Sequence, residues 1–515
     1  MKTQETLADW EIGDKTVAQV FANAARRAPD TIYCKSVSGA LTYAQAAGAI
    51  QTLAGDLRPE VEGKPVALIL QNSTAFVIGY FAILFAGGKP ALINYGHPEA
   101  TVKKLLDDLR PALTISDRTF EGHANRMLND ALAHEIATAI DPETLHAPGT
   151  EQDIAATLYS GGTTGLPKQV PHSNAAIIAT MERGDWGWRT GNNETWLPVA
   201  PFTHIYGYLM GLVNPIIRAG SIVIPERFHP DLIVDFLANE NITIFGGGPP
   251  AIYQAVMASE KFQTAKFPRL RICPGGGAPF PLDVHRRWQT ATGLQIFEGY
   301  GMTEIAPISI NTIEHGVKPG SAGKPVPDTE VEIVDIETGT KVLSCGETGE
   351  IRVKGPHLMT GYVCSPEETA RTLKNGFVYT GDIGCLDEEG FLTISDRKKN
   401  VIFVSGFNVF PREIEELLLT HPAISGACVI GREHERTGEA PMAFVTLRSD
   451  LNAKDIDAFC RENLIAYKLP AQVHILDEMP LTPAGKVDRI ALKASGAGQL
   501  SSFPSHTHSG DRHEQ

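Results

Sequence analysis

Short apolar runs alternate with helical stretches along most of this chain, and that alternation restricts the possible fold more than any other feature. Val66-Ala-Leu-Ile-Leu70 reads as a short buried strand, followed by a polar turn and an apolar helix from Thr74. Lys89-Pro-Ala-Leu-Ile93 is the next strand. Ser221-Ile-Val-Ile-Pro225, Ile242-Thr-Ile-Phe245 and Leu270-Arg-Ile-Cys273 repeat the theme, with helical stretches between them. Strands alternating with helices over about residues 15–395 imply an α/β layered body with largely parallel sheets. No fixed-period repeat is visible.

The texture changes from about Glu330. Glu330-Val-Glu-Ile-Val334 and Gly349-Glu-Ile-Arg-Val353 alternate apolar and polar residues, the mark of a half-exposed antiparallel sheet. A smaller α+β unit follows Arg397. Its first helix is signalled by Pro411 at the first position, then Ile414, Leu417 and Leu418 at helical spacing. The expected fold class is therefore α/β: a large N-terminal domain of layered α/β subdomains plus a β-rich subdomain, with a small α+β C-terminal domain. The expected bounds are 1–396 for the large domain, 397–494 for the small one and 495–515 for a disordered tail. That tail carries His506, His508 and His513, which are read as part of a solvated segment rather than as a metal cluster.

A chain of 515 residues exceeds one ordinary core, in keeping with several domains. The net charge of -15 repels nucleic acid and anionic membrane, so neither is expected as a primary partner. A local basic patch for a nucleotide or a thiol cofactor stays open. The seven cysteines are odd in number and none has CxxC spacing. They read as reduced thiols of a cytoplasmic protein rather than a disulfide framework or a zinc site. The start, MKTQETLADWEIGD, is polar and acidic, unlike a signal peptide. The longest apolar run, Phe76 to Ala86, is broken by Gly79 and Tyr80 and reads as a core helix, so no integral membrane association is expected.

Five stretches offer chemistry. Tyr159-Ser-Gly-Gly-Thr-Thr-Gly-Leu-Pro-Lys168 follows the strand-like Ile154–Leu158. Its glycines let backbone N–H groups turn toward an anion, and its hydroxyls and lysine add donors and charge. It is not the common phosphate loop GxxxxGK[ST], because Lys168 follows Pro167 and precedes Gln169. In Phe297-Glu-Gly-Tyr-Gly-Met-Thr-Glu304, an aromatic ring between two glycines suits a base. The threonine suits a phosphate oxygen, and Glu304 suits Mg²⁺, a hard cation that prefers carboxylate oxygen. Tyr379-Thr-Gly-Asp382 places a carboxylate at a turn, where it can accept both hydroxyls of a ribose. Asp396-Arg-Lys-Lys-Asn400 precedes the strand-like Val401–Val404, and Thr482-Pro-Ala-Gly-Lys-Val-Asp-Arg489 carries a lone lysine. Each stretch alone is also an ordinary turn or charged loop.

In this order and spacing, however, they resemble the core motifs of the adenylate-forming superfamily. That superfamily holds acyl- and aryl-CoA synthetases, peptide-synthetase adenylation domains and beetle luciferases. The resemblance runs from Leu41-Thr-Tyr-Ala-Gln45 to Lys486. Glu298-Gly-Tyr-Gly with Thr303-Glu-Ile-Ala-Pro307, and Asp396-Arg-Lys-Lys with Val404-Ser-Gly-Phe-Asn-Val409, are most similar to the fatty acyl-CoA synthetase branch. The resemblance implies a two-step reaction on ATP, Mg²⁺ and CoA. A small-molecule carboxylic acid becomes an acyl-adenylate with loss of pyrophosphate, and a thiol then displaces AMP.

The site roles it implies are as follows. Lys486 bonds the attacking carboxylate and the phosphoryl oxygens, so Lys486, Thr303 and His204 form the catalytic set. Ser160, Gly161, Gly162, Thr163, Thr164, Gly165 and Lys168 hold the β- and γ-phosphates. Gly276, Gly277 and Ala278 lie along the adenine, Tyr300 packs on it within Glu298-Gly299-Tyr300, and Thr303 touches the α-phosphate. Glu304 takes the metal. Asp382 and Arg397 hold the ribose, with Ile394 beside the nucleotide. Lys399 is the hinge that makes the small C-terminal domain mobile, and Ser405, Gly406 and Phe407 border a thiol channel. His204 gates the acyl site. Gly246, Gly248, Gly275 and Gly301 are small linings, which leave room for a bulky or long acyl group or else mark tight backbone packing, with Tyr208, Met302 and Ile305 as apolar walls. No Asp stands in Pro201–Gly211 to pair an amine, which argues against an amino-acid substrate.

Gln169 stands where the family usually has Gly, and its bulk is expected to bear on the phosphate loop. Three alternatives accompany the CoA-ligase reading: loading of an acyl carrier protein's phosphopantetheine, an aryl-acid CoA ligase, and a non-catalytic nucleotide-binding protein on the same fold. A phosphate-loop ATPase is disfavoured by Pro167 and Gln169. The acid and the oligomeric state, including a homodimer, stay open.

Overall fold

Thr74–Phe85 forms the helix that the apolar run predicts, and Ser73 starts it by accepting the Phe76 amide on its hydroxyl. Every residue of this helix is buried, so it lies inside the body rather than on its surface. The helix Tyr43–Val61 begins with a capping box. The Gln45 amide donates to the Thr42 hydroxyl, and the Thr42 amide donates to Gln45 Oε1. The computed structural model describes residues 11–160, 166–481 and 487–495. The expectations placed on Gly161, Gly162, Thr163, Thr164, Gly165, Lys486 and the histidine-bearing tail lie outside the described residues.

Two sheets carry the layered α/β body. One has six strands in the order Asn125–Met127, Leu113–Ser116, Pro65–Ile69, Lys89–Leu92, Ile154–Ser160, Lys168–Ser173. All its pairs are parallel except the last, where Ser160 faces Lys168 and Tyr159 faces Gln169. The other has the order Ile244–Gly246, Thr195–Pro198, Ser221–Val223, Ile32–Ser36, Gly39–Thr42, again parallel but for its final pair. Two strands sit later than the periodicity predicts: Ile244–Gly246 rather than from Ile242, and Cys273–Gly275 rather than from Leu270. Partner strands set these bounds. Ile244 pairs with Trp196 and Cys273 with Ile296, and an apolar run does not reveal its register.

A third sheet runs Cys273–Gly275, Ile296–Met302, Ile305–Ile310, Lys324–Pro325, and its central hairpin turns at Thr303 and Glu304. The antiparallel sheet expected from Glu330 is present, with Glu330 facing Lys354 and Ile333 facing Ile351. Its strands Phe377–Leu386 and Leu392–Arg397 bring Asp382 opposite Arg397. The chain then makes a tight turn over Lys398–Asn400 and enters a separate five-stranded sheet at Ile402–Val404. That last unit has its own core of Ile402, Val404, Val409, Ile414, Leu418 and neighbours, capped by the helix Pro411–Thr420. Among the described residues, no helix is long and apolar enough to cross a membrane.

Candidate active site

The pairing of Ile154–Ser160 with Lys168–Ser173 delivers Ser160 and Lys168 to the mouth of a 690 Å³ cleft. The hairpin turn of the third sheet brings Gly301, Met302, Thr303 and Glu304 to the same cleft, and the antiparallel sheet brings Arg397 and Lys398. Gly277 and His204 complete the convergence of sequence-distant motifs. Gly277 has φ +82° with open space where a side chain would be, a backbone shape suited to glycine.

Three polar clusters define the chemistry. In the first, the Tyr300 hydroxyl donates to Asp382 Oδ2 at 2.5 Å, and Arg397 Nε meets Asp382 Oδ1 at 2.7 Å. Asp382 is 3% exposed. Burial raises its carboxyl above the usual carboxylate range, only partly offset by Arg397 and by the Tyr300 hydroxyl. Burial and the Asp382 charge together push the Tyr300 phenol well up. In the second, Tyr362 donates its hydroxyl to Glu304 Oε1 at 2.6 Å, and the Lys168 ammonium lies 4.9 Å from the Tyr362 ring centre. Lys168 also pairs with Glu368 at 2.7 Å, which holds the Glu368 carboxyl below its ordinary value.

The third cluster supports the second. His172 Nε2 bonds the Thr303 carbonyl at 2.7 Å, and His357 Nε2 bonds the Pro307 carbonyl at 2.7 Å. The Met359 amide donates to the Glu304 carbonyl at 2.9 Å. Burial pulls the His172 imidazole down to about 4 and that of His357 to about 3, so both are neutral N–H donors at neutral pH. The segment Thr303–Pro307 is thus fastened by residues from two other parts of the chain.

Several expected roles are relocated by the structure. The Glu298 carboxylate turns away from the cleft: one oxygen accepts the Phe280 amide and the other meets His285 Nε2, each at 3.2 Å. Tyr208 and Ile305 are fully buried and do not line this cleft. Tyr208 shares a hydroxyl bond with Tyr80, and Ile305 packs in the core of the antiparallel sheet. The missing side chains at Gly275 and Gly246 do not leave room. A Cβ at Gly275 would stand 2.7 Å from Phe280, and one at Gly246 would stand 3.1 Å from Met210. Close packing explains both. Gly299 is likewise pressed against Ile310, and Gly301 against Ala306.

Gly248 has φ +80° and faces the Tyr206 ring, while the Gly276 amide donates to the Gly248 carbonyl. Ala278 follows Gly277 and is half-buried. Ile394 packs against the antiparallel-sheet core, and its carbonyl accepts Arg412, so it does not face the cleft. Lys399 lies in the turn Lys398–Asn400, where burial and neighbouring Arg397 lower its ammonium from the ordinary value. Ser405 and Gly406, at φ 50° and 84°, form the tip of the hairpin Ile402–Val409, and Phe407 stacks on Tyr467 at 4.6 Å. None of these three lines the cleft in this arrangement.

His204 is exposed at the cleft, not sealed in a core, and caps a short helical turn by accepting the Tyr206 amide on Nδ1. Gln169 is buried, and its amide donates to Asp108 Oδ2 at 2.7 Å, so its bulk goes toward the helix Glu99–Leu109 rather than into the cleft. Tyr362 and Glu368 were not legible as site residues. A tyrosine after Gly361 and a glutamate in Pro366-Glu-Glu-Thr369 carry no local signal, and only their contacts with Lys168 and Glu304 reveal them.

The model of the AMP-binding enzyme family matches residues 21–363, and that of the AMP-binding enzyme C-terminal domain matches 413–486. The chain is 32% identical to a long-chain-fatty-acid–CoA ligase of Bacillus subtilis (strain 168), over 92% of this chain and 94% of that one. Its fold is similar to that of ATP-bound MatB from Rhodopseudomonas palustris, with TM-score 0.85 and 27% identity over 93% of this chain and 98% of that one. It is also similar to Bacillus subtilis o-succinylbenzoate CoA synthetase in complex with its acyl-adenylate intermediate, with TM-score 0.81 and 28% identity over 93% of this chain and 99% of that one. The chain therefore belongs to the AMP-binding enzyme family, within the adenylate-forming superfamily.

Proposed function

We propose that this protein is an AMP-forming acid–thiol ligase that adenylates a carboxylic acid and passes the acyl group to CoA. The observation that carries the reading is the convergence of Lys168, Thr303, Glu304, His204 and Arg397 on one cleft, with Arg397 held by the buried Asp382, which also accepts the Tyr300 hydroxyl. In the first step a carboxylate oxygen attacks the α-phosphorus of ATP. The bond from the α-phosphorus to the bridging oxygen breaks, and pyrophosphate leaves with that oxygen and the electron pair. In the second, the thiol gives up its proton to solvent and its sulfur attacks the acyl carbon, the bond from that carbon to the phosphate oxygen breaks, and AMP leaves with the electron pair.

The first step brings anions together. At an effective dielectric of about 20, each unit-charge pair at about 4 Å costs roughly 4 kcal/mol. Lys168 offsets part of this at the β- and γ-phosphates, and Thr303 meets the α-phosphate. Glu304 fits Mg²⁺, which is commonly bound through one or two carboxylates with phosphate oxygens and waters completing its shell. The ion supplies charge neutralisation of the triphosphate when bound. A carboxylate has about four acceptor positions. Tyr300 and Arg397 engage the two Asp382 oxygens and leave capacity for the two ribose hydroxyls. Lys486 supplies the cation at the transferring phosphorus. The turn Lys398–Asn400 is the hinge about which the small domain exchanges Lys486 for the Ser405–Phe407 hairpin, so that one cleft serves both steps.

The filled positions at Gly246 and Gly275, and the Tyr206 ring lying against Gly248 and Gly276, favour an acid that is compact near its carboxylate. The reading is tested by acid-dependent pyrophosphate release from Mg-ATP over a panel of fatty and aryl acids, with and without CoA, for wild type and Lys486→Ala. Release with one acid class, stimulated by CoA and lost in the variant, is expected. Wild-type release independent of acid would refute it.

A further inference from the structure

Outside the motifs that carry the reaction, the best-organised polar feature facing the cleft is Tyr362, on the segment between the strand Gly349–Lys354 and the helix Pro366–Thr372. It touches both groups on which the triphosphate depends. Its hydroxyl donates to Glu304 Oε1 at 2.6 Å, and its ring lies 4.9 Å from the Lys168 ammonium. Its own place is over-determined. Its amide donates to Thr369 Oγ1 at 3.0 Å, and the next amide, Val363, donates to the Gln169 carbonyl at 3.2 Å. The Met359 amide ties the same segment to the Glu304 carbonyl.

We infer that Tyr362 is a positioning residue for metal-nucleotide binding, its hydroxyl orienting Glu304 toward the metal and its ring steadying Lys168 for the phosphates. This rests on the roles proposed for Glu304 and Lys168. The physical reason is specific to a phenol. A glutamate has three rotatable bonds, and a hydrogen bond to one oxygen fixes the plane of its carboxylate while leaving the other oxygen's acceptor capacity to a cation. Partners that orient ligands in this way typically change metal affinity 10–100-fold when removed. The ring face attracts the ammonium by its quadrupole, which steadies Lys168 without neutralising it.

The two functions of the side chain separate by substitution. Tyr362→Phe keeps the ring and loses the donor; Tyr362→Leu loses both. Mn²⁺ binding to the full chain, followed by electron paramagnetic resonance with a non-hydrolysable ATP analogue, reads the metal. Calorimetric titration of the analogue without metal reads the lysine side. In Tyr362→Phe, Mn²⁺ affinity is expected to fall about tenfold while metal-free analogue affinity stays within about twofold. In Tyr362→Leu both are expected to fall.

A double-mutant cycle guards against a merely structural effect, because in a Glu304→Gln background Tyr362→Phe should cause no further loss of Mn²⁺ affinity. If Tyr362→Phe binds Mn²⁺ like wild type while Glu304→Gln does not, the inference fails and the roles of Glu304 and Lys168 stand. If Glu304→Gln and Lys168→Ala both bind the metal-nucleotide like wild type, those roles fail and the inference with them. An equal further loss in the Glu304→Gln background would also overturn it.

Discussion

Asp382→Asn should separate nucleotide binding from folding. Asp382 is 3% exposed, and burial raises its carboxyl even with Arg397 at 2.7 Å. A carboxyl raised in the folded state makes its contribution to stability at low pH and loses it as pH rises, so at neutral pH the ionised group is held at a cost to the fold. The amide removes that cost and keeps an oxygen for the Tyr300 hydroxyl. It loses the pair with Arg397, whose side chain is 56% exposed, and such a pair is worth at most about 1 kcal/mol. The net change in stability should lie within about 1 kcal/mol, a shift of no more than about 4 °C in the unfolding midpoint. Binding behaves differently. A hydrogen bond to a charged group is worth about 1.5–3 kcal/mol. Loss of about 2 kcal/mol from the ribose contacts weakens ATP roughly thirtyfold. Calorimetric titration with ATP beside a thermal melt measures both. An Asp382→Asn protein that binds ATP as wild type does, or that melts more than about 8 °C lower, would refute the reasoning.

Two further outcomes follow from the same contacts. Glu368 competes with the triphosphate for Lys168 through a pair at 2.7 Å. Glu368→Gln should therefore tighten metal-free ATP up to about fivefold, the equivalent of the ~1 kcal/mol ceiling of a part-exposed pair; weaker binding on titration would count against the proposed role of Lys168. His172 is depressed to about 4 by burial. Between its ordinary value and about 4 the unfolded chain binds a proton that the folded chain does not, so its contribution is complete above about 6.5 and is lost as pH falls toward about 4. The loss is about 3 kcal/mol for this side chain, and His357 acts in the same sense. Urea midpoints from pH 7 to 4.5 should fall less steeply in His172→Gln than in wild type; parallel curves would show that His172 carries no such linkage.

The sequence by itself determined the alternation that requires layered parallel sheets, the change to an antiparallel sheet at Glu330, and the order of the motifs. These are local properties: a strand four or five residues long and a helix start declare themselves through apolar period and capping groups. It also named part of the cleft, from Ser160 and Lys168 to Thr303, Glu304 and Arg397, because the motif order carries the family, but not the wall that residues 337–340 supply. Which way each side chain faces was decided only by the tertiary structure. Glu298 and Glu304 stand in one motif, yet Glu298 serves Phe280 and His285 while Glu304 faces the cleft. A hairpin turn and a register shift between Tyr300 and Met302 lie between them, so parity along the sequence does not transmit face. The glycines at 246 and 275 are equally silent in sequence, because whether an absent Cβ leaves space or admits a neighbour depends on Met210 and Phe280, brought there by long-range packing. Tyr362 belongs wholly to the second kind: it becomes a site residue only because the segment after Lys354 folds back between Lys168 and Glu304.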